Sequence, residues 1–309
     1  MLKELLEAGK CFKLVCGAGN EDALEVEKLV ALYSKAGCKF FDVSAKPEII
    51  DAAKKGLQGR EGYICVSVGI KGDPHVRKAQ IDYEKCAGCH KCEEICPQKT
   101  IKHCKVKTAR CIGCGKCYSV CTHGAISFLS ENKDLNEVLP PLIEKGIDCI
   151  EFHVMGEDES GIYEKWDYIN SVYDGLLSIC TARGKLSEEK MISRIERMTA
   201  IRKPYTTIVQ ADGFPMSGGK DDYKTTLQAV ATAEIVQNAK MPVYIMLSGG
   251  TNSKTAELAK LCGINYNGIA IGTFARKIVN RYIEREDFLK NDYIFNEALN
   301  IARSLVGNV

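Results

Sequence analysis

Eight short apolar runs, each closed by turn residues, recur along the chain: FKLVCGAG from Phe12, KFFDVSA from Lys39, YICVSVG from Tyr63, CIEFHVMG from Cys149, LLSICTA from Leu176, TTIVQADG from Thr206, PVYIMLSGG from Pro242 and GIAIGTFAR from Gly268. Runs of this length bounded by glycine and polar turns read as strands. Between them the apolar positions switch to helical period, as in ALEVEKLVALYSKAG, PEIIDAAKKGL, EEKMISRIERMTAI and SKTAELAKLCG. Strands regularly followed by helices predict a parallel sheet closed into a (β/α)8 TIM-type barrel. The alternation breaks once, after the third run, where residues 71–130 show neither pattern. Removing those 60 residues from 309 leaves 249, close to the roughly 250 of an ordinary barrel of this type. The expected division is therefore a barrel from residues 1–70 and 131–309, interrupted by an inserted ferredoxin-like α+β module at 71–130.

The insert carries its own repeat. Segment 82–103, DYEKCAGCHKCEEICPQKTIKH, overlays 107–128, KTARCIGCGKCYSVCTHGAISF, at a period of 25, matching four cysteines and also Gly88 with Gly113, Lys91 with Lys116 and Ile101 with Ile126. Each copy spells C-x2-C-x2-C-x3-C. In bacterial ferredoxins three closely spaced thiolates hold one cubane and the fourth cysteine reaches the other cluster. The spacing assigns Cys86, Cys89, Cys92 and Cys121 to one 4Fe-4S cluster and Cys111, Cys114, Cys117 and Cys96 to a second. Structural zinc is the competing reading, since four of the five histidines fall in or beside this stretch, but zinc sites use two separated ligand pairs rather than a duplicated triple. Cys104, between the copies, is left over. The second copy has Thr122 where Pro97 follows the first.

Polar residues gather at the C-terminal ends of the strands, where barrels of this class place their chemistry. Cys16, Asp42, Gln210, Asn252 and Arg276 are among them. Glu151 and His153 are two apart on one strand and so share a face, a candidate acid–base pair, with Arg183 and Asp212 as further catalytic candidates. After the seventh and eighth strands, Ser248, Gly249, Gly250 and Thr251, then Gly272 and Thr273, suit a phosphate group held by backbone amides and a helix N-terminus, as in flavin mononucleotide or another phosphate-bearing ligand. A dinucleotide fingerprint fails at Gly17-Ala18-Gly19, because Asp22 stands where the third glycine belongs. GFPMSGGKDD likewise misses the phosphate-loop spacing around Gly213, Gly218 and Lys220.

Composition narrows the class. With 45% hydrophobic and 27% charged residues, 27 glycines and 8 prolines, the chain is neither disordered nor collagen-like. The net charge of +2 conceals a division: residues 71–130 hold 11 lysines and arginines against 5 acids, or +6, leaving 31 against 35, or −4, elsewhere. Basic residues around clusters suit an acidic donor such as a ferredoxin or flavodoxin. With Tyr83, Tyr118 and Phe128 as the insert's aromatics, no nucleic-acid partner is expected. MLKELLEAGKCFKLV reads as a short amphipathic helix rather than a signal peptide, and no window reaches the roughly 18 apolar residues of a membrane span, so a reducing cytoplasm is expected. There the seven barrel cysteines, Cys11, Cys16, Cys38, Cys65, Cys149, Cys180 and Cys262, are expected to be mostly buried in strands and helices.

The tandem cysteine motif, joined to QADGFPMSGGKDDYKTTLQAV and to SGGTN with ELAKLCGINYNGIAIGTFARKIV, resembles the light-dependent-period family, iron-sulfur proteins best known from cyanobacteria. The similarity extends to the KLVCGAGN opening and the FFDVSA strand. The resemblance implies a redox-responsive protein, linked in cyanobacteria to signalling photosynthetic redox state to the circadian clock. Two functions remain open. One is electron transfer or redox sensing by two clusters, coupled to a small-molecule site at the barrel mouth. The other is a ferredoxin-fused barrel oxidoreductase acting on a small molecule.

Overall fold

The computed structural model describes residues 1–69, 77–130, 134–154, 159–182, 186–213 and 219–309. In chain order the strands are β1 (Cys11–Val15), β2 (Phe40–Ser44), β3 (Tyr63–Gly69), β4 (Arg77–Ile81), β5 (Ile101–Lys102), β6 (Lys105–Val106), β7 (Ile126–Ser130), β8 (Cys149–His153), β9 (Leu176–Ala182), β10 (Thr207–Asp212), β11 (Tyr244–Ser248) and β12 (Gly268–Ile271). The helices are α1 (Leu2–Glu7), α2 (Ala23–Lys35), α3 (Pro47–Leu57), α4 (Lys91–Ile95), α5 (Lys116–Val120), α6 (Leu135–Glu144), α7 (Glu159–Val172), α8 (Glu188–Thr199), α9 (Tyr223–Asn238), α10 (Thr255–Leu261), α11 (Thr273–Ile283) and α12 (Asp292–Val306).

Eight parallel strands close in the order β1, β2, β3, β8, β9, β10, β11, β12. Each coincides with one of the eight apolar runs. The four segments read as helical become α2, α3, α8 and α10. Their ends follow local chemistry: the Asp22 carboxylate accepts from the Glu25 amide to start α2, Pro47 opens α3 at a position whose N–H has no helical partner, and Ser187 caps α8. Between β3 and β8, strands β4 and β7 pair antiparallel and enclose the β5–β6 hairpin with α4 and α5. Ala79, Ile101, Cys111, Cys117 and Ile126 form a small core there.

The main core lies between the strands and the helices outside them. Trp166 on α7 stacks on Phe152 of β8 at 6.2 Å between ring centres and donates its indole N–H to the Met198 carbonyl. Inside the barrel the packing is layered. Leu2 and Leu6 of α1 close the N-terminal end against Cys11, Phe40, Ile208 and Tyr244. Above that apolar floor the interior turns polar. At the mouth, the turns after β10 and β11 touch: the Gly213 amide donates to the carbonyls of Ser248 and Gly249 at 2.9 and 3.1 Å. A Cβ at Gly213 would sit 2.3 Å from the Gly249 oxygen, so the contact requires glycine there.

Candidate functional site

The two cysteine repeats fold alike. Gly88 and His90 in the first copy, and Gly113 and Gly115 in the second, all take left-handed backbone angles. The second residue of each pair precedes a short helix, α4 or α5, which carries the third cysteine in its first turn. The consequence is two cavities. One is lined by Cys86, Cys89, Cys92 and Cys121, with Cys104 beside them. The other is lined by Cys96, Cys111, Cys114 and Cys117. Each therefore collects three thiols from one copy and the fourth from the other. Backbone amides point at sulfur, Ala79 N–H to Cys111 Sγ and Thr100 N–H to Cys96 Sγ, both at 3.4 Å. Such amides stabilise thiolates, so the donor set and its surroundings fit an iron-sulfur cluster. Cys104 hydrogen-bonds Cys86, which pushes its thiol up to about 11.

The cavities differ in exposure. Cys89 in the first is exposed, whereas Cys111 and Cys117 in the second are buried. Contacts to the barrel run from the segment around the second. Lys78 donates to the carbonyls of Gly19 and Cys111, Arg110 pairs with Glu25, and Lys107 pairs with Asp22.

Within the barrel, the pleat sends Lys13, Asp42, Ser67, Glu151, Ser178 and Gln210 inward as a polar layer above the apolar floor. His153, Cys180, Asp212 and Ser248 follow one step nearer the mouth. Lys13 is fully buried and forms an ion pair with Glu151. Its ammonium also donates to Gln210 Oε1 at 3.2 Å. Glu151 Oε1 lies 3.2 Å from His153 Nε2 and accepts from Gln210 Nε2 at 3.1 Å. Ser67 donates to Asp42 at 2.7 Å, and the Cys180 thiol donates to Asp212. Burial works against the Glu151 charge, but Lys13 and His153 outweigh it and hold the carboxyl well below the usual range. Burial disfavours the Lys13 ammonium too, yet the facing Cys65, Glu151 and Asp42 raise its pKa. Asp42 and Asp212, with burial dominant, are both pushed up to about 6. Two carboxyls poised near neutrality beside a fixed ion pair make a site able to give and take protons.

Of the sequence candidates, Glu151, His153 and Asp212 come together in this interior, and Arg183 lies outside the described residues. Lys13 and Ser178 went unread. The available signal was a lysine in the middle of a five-residue apolar strand, because parallel barrel strands are buried on both faces and a charge there must find a partner. Ser248 hydrogen-bonds Asp212, and Gly249 and Gly250 are left-handed. Thr251 donates to the Ala270 carbonyl at 2.5 Å, Gly272 precedes α11 without a side-chain cap, and Thr273 is that helix's first residue. The barrel cysteines are mostly buried, as expected. Cys262 ends α10 at the surface and is exposed, while Cys11, Cys16, Cys38, Cys65, Cys149 and Cys180 are buried.

The architecture defines a class: a (β/α)8 barrel protein with an iron-sulfur-binding segment. Residues 141–308 match the family described as Light dependent period A C-terminal domain, and residues 86–132 match the LdpA Fe-S cluster-binding domain. The chain belongs to the light dependent period A family. It is 29% identical over 271 residues to Light dependent period A of Synechococcus elongatus, covering 84% of this chain and 75% of that protein. Among solved structures it resembles the YdjI aldolase from Escherichia coli K12, with a TM-score of 0.54 at 7% identity, covering 100% of this chain and 96% of the other, a likeness of fold. No helix among the described residues is long and apolar enough to cross a membrane.

Proposed function

We propose that the chain is a redox protein carrying two 4Fe-4S clusters, which exchanges electrons with a donor and couples cluster state to the barrel. The sorting of the eight repeat cysteines into two cavities, four to each and each four drawn from both repeats, carries this reading. Cys86, Cys89, Cys92 and Cys121 would hold the first cluster, and Cys96, Cys111, Cys114 and Cys117 the second. The clusters supply one-electron exchange; the protein sets their order. The exposed first cavity suits entry of electrons from outside, and the buried second one, tied to the β1 loop through Lys78 and to α2 through Arg110, suits communication with the barrel. Protein purified and assayed anaerobically is expected to hold about eight irons and eight acid-labile sulfides per chain. Fewer than about six irons overturns the two-cluster reading.

The donor is expected to be acidic. Lys91 lines the first cavity, Lys102 and Lys105 flank Cys104, and all three are exposed. Charges of this kind raise encounter rates by steering, an effect that salt screens. Stopped-flow reduction by a ferredoxin or flavodoxin is expected to slow on the order of tenfold between low and high salt. A rate indifferent to salt rejects an acidic partner.

The polar barrel interior favours a second reading, an oxidoreductase whose small-molecule substrate is bound beside Glu151, His153 and Asp212. The uncapped N-terminus of α11 and the left-handed pair Gly249–Gly250 support a phosphate-bearing ligand there, such as flavin mononucleotide. Reductant consumed on addition of a substrate separates this enzyme from a sensor, which changes conformation without turnover.

A further inference from the structure

We propose that Glu151, His153 and Cys180 form a divalent-cation site at the barrel mouth, matched to zinc. One ligand atom from each lies within 4.8 Å of both others, and all three side chains are buried. The arrangement follows from strand register. Glu151 and His153 are successive inward residues of β8, and Cys180 sits opposite His153 on the adjoining β9. The sheet itself, rather than a mobile loop, holds the three donors together.

The chemistry of the donors narrows the ion. A carboxylate oxygen, an imidazole nitrogen and a thiol sulfur suit zinc, whereas magnesium and calcium take oxygen ligands almost exclusively. Lys13 engages Glu151 Oε2, so the ion would take Oε1, replacing its contact with His153 Nε2 and drawing on the oxygen to which Gln210 and Ser67 now donate. Gln210 Nε2 also lies 3.8 Å from Cys180 Sγ, so one amide reaches two of the three ligands and orients them. The charge balance points the same way. Glu151, Asp42 and Asp212 face this interior against the single ammonium of Lys13, and a dication that displaces the Cys180 proton to solvent offsets part of the excess.

Three protein ligands are the count of a catalytic rather than a structural zinc site, with the fourth position left to water or substrate. Ser178 adds an independent observation. It is fully buried, faces the interior in register with Glu151, and its hydroxyl has no hydrogen-bond partner among the described residues. A buried hydroxyl left unpaired is destabilising. A metal-bound water or a substrate oxygen would satisfy it.

The site uses none of the eight cysteines that line the insert cavities, so iron and zinc report on separate claims. The full-length iron-loaded protein is incubated anaerobically with one equivalent of zinc sulfate, desalted, and analysed for both metals and by zinc K-edge absorption, which iron does not obscure. The expected result is one zinc per chain with a single sulfur at about 2.3 Å and nitrogen or oxygen at about 2.0–2.1 Å. Cys180→Ser and His153→Ala are each expected to lower retained zinc at least tenfold with iron unchanged. The proposal is overturned if the wild type retains no zinc. It is equally overturned if the ion shows an all-sulfur shell that survives Cys180→Ser, which would place it among the insert thiols. The absorption spectrum of the wild type decides between these even if a variant fails to fold.

Discussion

Cys121→Ala is expected to empty one cluster site and spare the other, lowering iron from about eight to about four per chain. The informative part is which site is lost. Cys121 belongs to the second repeat by sequence, but it lines the cavity built from Cys86, Cys89 and Cys92. With ligands exchanged between repeats, Cys86→Ala and Cys121→Ala damage the same cluster, and the double variant still holds about four irons with an unchanged low-temperature EPR signal from the second. With each repeat serving its own cluster, the double variant strikes both sites and iron falls toward zero. Cys104 adds a further branch, because it lines the same cavity and hydrogen-bonds Cys86. If its thiol substitutes for the missing ligand, Cys121→Ala keeps about eight irons until Cys104→Ser is added. Loss of all iron in the single Cys121→Ala variant contradicts both independent cavities and exchanged ligation.

What the sequence made legible follows from how locally each feature is encoded. Barrel strands are continuous apolar runs, so eight of them stood out. The cysteine repeat is a contact pattern written at short range, and positions 88, 90, 113 and 115 show its symmetry in backbone angles even where the residue type differs, His90 against Gly115. The shared face of Glu151 and His153 needed only the two-residue period of a strand. Contacts across the barrel have no such local trace. Lys13 meets Glu151 138 residues away, and FKLV alone does not show which of its residues points inward. Cys180 reads as one more buried thiol until β9 is set between β8 and β10, where it lies opposite His153 and Gln210. Cys262, the exposed one of the seven barrel cysteines, stands past the last turn of α10, where the chain turns at Gly263 and the thiol faces solvent.

The second large effect is expected at Lys13, the residue whose role depends wholly on those distant contacts. Lys13→Met keeps most of the length of the side chain and removes the charge, leaving Glu151 buried without its cation. Breaking one side of a buried pair costs about 3–5 kcal/mol, which for a domain of this size corresponds to a fall in Tm on the order of 10 °C. Trp166 is the chain's single tryptophan and is buried against Phe152, so its fluorescence follows barrel unfolding directly. The loss is expected to depend on pH with a definite sign. In the wild type the Glu151 carboxyl is held below its ordinary value, so its contribution is present above that value and is lost as pH falls through the depressed one. Without Lys13 that depression gives way to the burial penalty, and the carboxyl joins Asp42 and Asp212, which are pushed up to about 6. A raised carboxyl destabilises the fold as pH rises from its unfolded value to its folded one, because the folded state then holds the proton more tightly. Lys13→Met is therefore expected to cost more at pH 7.5 than at pH 5, and Lys13→Met with Glu151→Gln to recover part of the loss at the higher pH. An equal cost at both pH values, unrelieved by the second substitution, means that Lys13 acts through its packing over the Phe40 ring rather than through its charge.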